Sequence, residues 1–178
     1  MKRDRRAGGF GRPRGGGPAW VIAFLIVGLA AVAGPVEAAL RIGSALPAIT
    51  LPETGGTPVR IPENVRGKVV ILHFWQVGCS SCKLEMPAMD VLYGQYRKKG
   101  LEVLAVNIGQ KKETVKSFAA ELGVSYPLLV DTEGKSASLL GVADVPRTYV
   151  IDRDGIVRYR ILGGANLEML KKLILSLL

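Results

Sequence analysis

KVVILHFWQVGCSSCKLEMP, residues 68–87, joins an apolar run to a pair of cysteines and then to an amphipathic stretch. The segment 68–75 is almost continuously apolar and rich in β-branched and aromatic side chains, which is typical of a strand buried on both faces of a sheet. From Cys82 onward the apolar residues take a helical spacing that Gly100 ends. Cys79 and Cys82 are therefore predicted to lie where a buried strand turns into the N-terminus of a helix.

Strand and helix patterns alternate through the rest of the chain. Short apolar runs on either side of a Gly-Gly turn region, 49–51 and 59–61, predict a β-hairpin that covers one edge of a sheet. Further predicted elements are strands over 101–108, 126–130, 147–151 and 156–161, a helix ended by Gly123, a short helix over 136–140 and a last helix capped by Asn166. This order predicts an α/β fold with a mixed central sheet flanked by helices.

The first 38 residues have the pattern of an export signal. Six basic residues precede the uncharged apolar segment 19–33, and the small residues around Ala38 offer a cleavage site. Segment 20–36 also approaches the ~20 residues that span a bilayer, so an uncleaved anchor is the alternative. A buried core helix is less favoured because the segment has no polar face. We expect residues 1–38 to be a leader and residues 39–178 to be one extracytoplasmic domain.

The net charge of +9 does not by itself indicate a nucleic-acid-binding protein. Much of this charge comes from the leader, where glycine and proline fill the gaps between arginines in GGFGRPRGGGP. A nucleic-acid-binding surface would instead interleave basic and aromatic residues on a folded face. We therefore expect no nucleic-acid partner, and a membrane contact through the N-terminal segment.

The two cysteines of the chain both lie in CSSC, so the sequence lacks the disulfide framework of small secreted domains. Thiolates attack disulfides, and a helix N-terminus stabilises such an anion. With two residues between them, Cys79 is predicted to attack an external disulfide and Cys82 to resolve the mixed disulfide. An inert bond is less favoured because so short a loop gains little entropic stabilisation. A metal site would need three or four ligands, and we expect none.

Three further residues have candidate roles near the cysteines. Glu85 lies three residues after Cys82, so its carboxyl could exchange a proton with that thiol, although most such residues are solvated helix glutamates. His73, the one histidine, lies inside the apolar strand, where burial favours the neutral ring. A hydrogen-bonded core role is favoured for it over tuning of the thiols. Pro146 stands where a cis bond would bring the Val145 backbone beside the cysteines.

Several motifs after residue 68 occur in a characteristic order. They are the strand, WxxxCxxC at 75–82, EMP at 85–87, LEVLAVN at 101–107, YPLLVD at 126–131 and GVADVPRTYVID at 141–152. Together they closely resemble the TlpA/ResA-like thioredoxin-fold proteins. The resemblance covers nearly all of the chain after the leader. It implies a thioredoxin fold that carries an N-terminal hairpin and an inserted strand-helix unit.

The resemblance also implies roles for individual residues. Cys79 would attack, Cys82 would resolve, and Glu85 would be the acidic group under the active site. Pro146 would be a cis-proline facing the cysteines, and the implied substrate-facing positions are Trp75, Gly78, Val145 and Pro146. His73 occupies the place of a buried aspartate in thioredoxins, which suggests a possible tuning role.

Proteins of this kind typically work outside the cytoplasmic membrane as reductants, often on the haem-binding cysteines of apocytochrome c. The resemblance therefore implies a protein disulfide substrate, a membrane thiol-electron donor and no organic cofactor. Two departures from the family pattern are Gly78, where tryptophan is usual, and Ser81, where proline is frequent. An oxidant of exported proteins and a redox-inactive copper-binding or adaptor module remain alternatives. A peroxidase is less favoured because neither cysteine lies in a Pro-x-x-x-Thr-x-x-Cys arrangement.

Overall fold

A mixed β-sheet forms the centre of the computed structural model, which describes residues 40–178. In chain order the strands are β1 (Ile49–Pro52), β2 (Pro58–Ile61), β3 (Val69–Trp75), β4 (Leu101–Ile108), β5 (Leu128–Asp131), β6 (Arg147–Ile151) and β7 (Val157–Leu162). Strands β1 and β2 form an antiparallel hairpin, and the other five form one sheet in the order β5-β4-β3-β6-β7. β3 pairs in parallel with β4 and antiparallel with β6. The predicted mixed sheet with an N-terminal hairpin is confirmed.

The hairpin protects one edge of the sheet. The alternating apolar residues Ile49 and Leu51 of β1 are buried, while Thr50 and Pro52 are exposed. An antiparallel bridge joins Glu53 to Leu129 of the edge strand β5, and the Thr54 N–H donates to the Leu128 carbonyl over 2.9 Å. The predicted covering of an edge is therefore confirmed.

Helices cover both faces of the sheet. Their bounds are α1 (Ser80–Tyr96), α2 (Lys112–Leu122), α3 (Lys135–Leu139) and α4 (Leu167–Leu175). Helices α1, α2 and α4 contribute buried apolar residues to one core, in which Met86 packs with Val115 and Leu170. The hairpin and α3 contribute to a second core on the other face. In β3 the side chains alternate between these cores, so Ile71 and Trp75 belong to the first and Leu72 and Phe74 to the second.

Several element boundaries differ by one or two residues from the sequence predictions, and two of these differences have a visible local cause. The third strand of the sheet begins at Leu128 rather than at Tyr126, because the Tyr126 side chain packs toward α1 and its hydroxyl donates to the Met86 carbonyl over 3.1 Å. The last strand begins at Val157, because a turn in which the Asp152 N–H donates to the Ile156 carbonyl precedes it.

The predictions made for residues 1–38 fall outside the part of the chain that the structure describes. Within residues 40–178, no helix combines the length and the apolar character required to cross a membrane.

Candidate active site

Cys79 and Cys82 form a disulfide at the N-terminus of α1, directly after the carboxyl end of β3. Their Cα atoms are 5.3 Å apart and the S–S distance is 2.13 Å. Cys79 is the N-cap residue of α1, in an extended conformation, and Ser80 begins the helix. The sequence prediction of a strand, a turn and a helix N-terminus at the cysteines is thus met by the structure. The disulfide lies where unpaired backbone N–H groups favour negative charge.

The two sulfurs differ in their access to solvent. The Cys82 side chain is fully buried in the first core, whereas Cys79 is partly exposed. The Cys79 Sγ accepts a hydrogen bond from the Cys82 N–H over 3.3 Å, and the Ser81 Oγ lies 3.8 Å from it. In the reduced protein, the same N–H and the helix N-terminus would stabilise a thiolate on Cys79. An incoming reagent therefore reaches Cys79 and not Cys82.

Glu85 is a buried carboxyl one helical turn after Cys82. Only 5% of it is exposed, and its Oε1 accepts a hydrogen bond from the Ala165 N–H over 2.6 Å, in the loop before α4. Burial raises the pKa of the Glu85 carboxyl above its ordinary value, and the bond from Ala165 opposes part of that rise. Its Oε2 has no hydrogen-bond partner among residues 40–178. Glu85 is thus a buried carboxyl of raised pKa one helical turn from the buried Cys82, and it is not a solvated helix glutamate.

A groove beside the disulfide has Glu85 in its lining. Its volume is about 430 Å³, and it runs between α1 and the loop before α4. Ser81 lines it from the CSSC segment, and Gly164 lines it from the opposite side. A Cβ at Gly164 would lie 3.0 Å from the Glu85 Oε1, so glycine permits the close approach of this loop to the carboxyl. The groove therefore connects the surface beside the cysteines to the buried acid.

His73 lies inside β3 and is fully buried. Its Nδ1 is 2.9 Å from the Thr148 Oγ1 of the neighbouring strand β6, and its Nε2 is without a partner in the described chain. Burial lowers the pKa of His73 from 6.5 to about 3, so the ring is neutral at physiological pH. The structure agrees with the favoured interpretation of a hydrogen-bonded core residue. Tuning of the thiols by His73 stays a prediction.

Comparison with known proteins connects this geometry to a family. Residues 42–160 match the AhpC/TSA family. The thiol-disulfide oxidoreductase ResA of Geobacillus thermodenitrificans is 37% identical over 136 residues, which cover 76% of this chain and 78% of the relative. The chain belongs to the ResA-like thiol-disulfide oxidoreductases. ResA of Bacillus subtilis is 32% identical over 128 residues, covering 72% of this chain and 71% of that protein.

Solved structures support the same assignment. A candidate thiol:disulfide interchange protein DsbE from Chlorobium tepidum superposes on this ResA-like chain with a TM-score of 0.72 at 30% identity. The match covers 78% of this chain and 98% of that structure. The predicted thioredoxin fold and family are therefore confirmed, with the CxxC pair of this oxidoreductase at Cys79 and Cys82.

The residues expected to face a substrate of this ResA-like protein occupy different environments. Gly78 is exposed and has a φ of 97°, a conformation that favours glycine over the tryptophan usual in the family. The Val145-Pro146 peptide bond is cis, as predicted, with Val145 half-buried and Pro146 buried. The expectation for Trp75 is wrong. Its side chain is fully buried and stacks on Phe118 with ring centroids 5.4 Å apart, so it supports the core beneath the site.

Two glutamines near the cysteines were not among the sequence predictions. Gln76 follows β3 and Gln110 follows β4. The Gln76 side chain bonds the backbone at the end of β4, and the Gln110 side chain bonds the backbone of the loop after β3. The residues are 34 positions apart. Gln76 is an unspecified position of the WxxxCxxC motif, and Gln110 belongs to none of the motifs recognised in the sequence. Only the parallel pairing of β3 with β4 brings the two loops together.

One expected outcome concerns the pH dependence of stability. The pKa of His73 is lower in the folded protein than in the unfolded chain. Keeping the ring neutral therefore contributes to the free energy of unfolding above pH 6.5, and this contribution is lost as the pH falls toward about 3. The maximum slope for one such group is about 1.4 kcal/mol per pH unit. The free energy of unfolding measured with urea should fall for the oxidised wild type between pH 7 and pH 4 by this extra amount. His73→Gln should lack this part of the fall. Parallel curves for the two proteins would contradict the assignment.

Proposed function

We propose that this oxidoreductase reduces protein disulfides, with Cys79 as the nucleophile, Cys82 as the resolving thiol and Glu85 as the group that accepts the Cys82 proton. The unequal access to the two sulfurs carries the proposal, since Cys79 is partly exposed and Cys82 is fully buried. Only the accessible sulfur of such a pair can make the first contact with a large protein substrate. The buried thiol then needs a neighbouring group to take its proton, and Glu85 lies one helical turn away.

The reaction would proceed in two exchange steps that conserve atoms and electrons. The Cys79 thiolate attacks one sulfur of the substrate disulfide, forms a mixed disulfide and releases the first substrate thiolate. Cys82 then loses its proton to the Glu85 carboxylate and attacks the Cys79 sulfur. The second substrate thiolate leaves and the Cys79–Cys82 disulfide forms. Two electrons pass to the substrate, and the state with the disulfide is the product state of the enzyme.

We further propose that the substrate is an exported protein, with the haem-binding cysteines of apocytochrome c as the leading candidate. A membrane thiol-electron donor would return the enzyme to its dithiol form. The sequence of residues 1–38, with its basic flank and apolar segment, supports export across a bacterial cytoplasmic membrane. Residues 39–178 would then work as one domain on the extracytoplasmic side, either anchored by the leader or released by cleavage near Ala38. The names of the ResA relatives support disulfide chemistry.

The equilibrium reduction potential tests the direction of electron flow. We expect the full chain in detergent to have a potential near or below about −250 mV against a glutathione or dithiothreitol series, because reductants of this fold lie near −270 mV. A potential near −120 mV would instead identify an oxidant of exported proteins.

A control for the titration and two further measurements address the remaining alternatives. Cys79→Ala should show no dithiol-disulfide transition, and it therefore serves as the blank for the reduction-potential titration. Stoichiometric copper retention by the monomer without disulfide reductase activity would favour a binding module. Consumption of hydroperoxide with a dithiol donor would favour a peroxidase.

A further inference from the structure

Two glutamine side chains connect the loop that carries Cys79 to the end of β4 and to the loop that follows it. The nucleophile loop, residues 76–79, connects β3 to α1, and the facing loop, residues 109–111, connects β4 to α2. Ladder pairing between β3 and β4 ends at Trp75 and Asn107. Beyond that point the two loops need other bonds to keep their spacing.

Gln110 supplies most of these bonds. Its Oε1 accepts the Val77 N–H over 2.7 Å and the Asn107 Nδ2–H over 2.8 Å. Its Nε2 donates to the Val77 carbonyl over 3.5 Å. One side-chain amide thus bonds both backbone groups of Val77, as a neighbouring strand would.

Gln76 makes the reverse connection, from the nucleophile loop to the end of β4. Its Nε2 donates to the Ile108 carbonyl over 3.1 Å, while its own backbone carbonyl accepts the Cys79 N–H over 3.3 Å. The residue therefore contacts β4 with its side chain and the nucleophile with its main chain. Together, the two glutamine side chains connect the nucleophile loop to β4 and to the facing loop.

The nucleophile loop has little side-chain packing of its own at the position next to Cys79. Gly78 is exposed, and a Cβ added there would meet no atom of the described chain within 4 Å. With a φ of 97°, Gly78 adopts a backbone conformation that other residues rarely adopt. Val77 and Cys79 on either side of it pack against the first core, and the hydrogen bonds to Val77 and Gln76 add to that packing in setting the position of Cys79.

We infer that Gln110 is a positioning residue for the nucleophile, because its side-chain amide holds Val77 and so sets Cys79 at the N-terminus of α1. This inference rests on the proposed role of Cys79 and adds a residue that acts through it. Without the amide oxygen, the Val77 N–H loses its acceptor and the loop gains freedom two residues before the reacting sulfur. Misplacement of a reacting atom by ~1 Å can reduce a rate about a hundredfold.

The test compares three variants of the full chain with the wild type, all reduced. In Gln110→Ala we expect kcat/KM for a protein disulfide to fall about tenfold, within the range for small misplacements. We also expect the pH midpoint of Cys79 alkylation by iodoacetamide, followed by peptide mass spectrometry, to move upward. Gln110→Glu keeps an oxygen acceptor for the Val77 and Asn107 donors but loses the weaker bond to the Val77 carbonyl, so it should recover part of the rate. Gln95→Ala, at an exposed position of α1, is the matched control.

Each outcome bears on a different part of the inference. A lower melting temperature for Gln110→Ala, with unchanged kcat/KM and alkylation midpoint, would overturn the positioning role and leave Gln110 a purely structural residue. Equal losses in Gln110→Ala and Gln110→Glu would also overturn it, because the acceptor oxygen would then not matter. If the wild type itself shows no preferential alkylation of Cys79 over Cys82, the proposed nucleophile is at fault, whatever the Gln110 variants do.

Discussion

Cys82→Ser is expected to accumulate a mixed disulfide between Cys79 and a protein substrate. The variant keeps the accessible sulfur and loses the buried one that we propose resolves the intermediate. Turnover should fall by more than about a thousandfold, because an intermediate that cannot be resolved blocks the cycle. Non-reducing electrophoresis and mass spectrometry of the trapped complex would locate the bond.

Cys79→Ser provides the matched control for this experiment. It should lose turnover to a similar degree but trap no substrate, since its remaining sulfur is fully buried. Equal trapping by both variants would contradict the division of labour between the two cysteines. Trapping only through Cys82 would reverse the assigned roles.

Glu85→Gln is expected to slow disulfide reduction by roughly a hundredfold near neutral pH, the lower end of the range for general acid–base groups. The amide can still accept the Ala165 N–H but cannot take the Cys82 proton. Single-turnover kinetics should place the loss in the resolving step, so the mixed disulfide should appear at a normal rate and decay slowly. Glu113→Gln, at an exposed position of α2, should leave both steps unchanged. A uniform loss in both steps would point to a distorted site instead of a missing proton acceptor.

The raised pKa of Glu85 also predicts the sign of a stability effect. A carboxyl whose folded pKa is raised favours folding below its ordinary value of 4.5, and this contribution is lost as the pH rises through the folded pKa. The stability of Glu85→Gln relative to wild type should therefore increase from pH 4 to pH 8. Thermal unfolding of the oxidised proteins across this range measures the difference. A flat difference would contradict the raised pKa.

The strands, helices and caps that the sequence predicted correctly are those whose formation depends on residues close together along the chain. The central strand is recognised by its unbroken apolar run, and the active-site helix by apolar spacing up to Gly100. Asn166 was also predicted as a cap, and its side chain accepts the Met169 N–H over 2.8 Å. These signals depend on neighbours within about two helical turns, which a single sequence contains.

The features that the sequence did not reveal depend on distant contacts. Glu85 meets Ala165 across 80 positions, and Gln110 meets Val77 across 33. The family resemblance implied that Trp75 faces a substrate, but strand alternation turns its side chain into the first core. Such pairings follow from how helices and strands pack together, which residue spacing along the chain does not specify.

The burial of Cys82 leaves Cys79 as the one sulfur of the pair that another thiol or disulfide can reach. In the proposed reductase cycle, a donor thiol that reduces the disulfide has to attack the Cys79 sulfur, because the Cys82 sulfur is fully buried. Donor and substrate therefore compete for one patch of surface and must take turns on it. Steady-state kinetics should follow a ping-pong pattern, in which excess donor in its oxidised form competes with the substrate for the reduced enzyme.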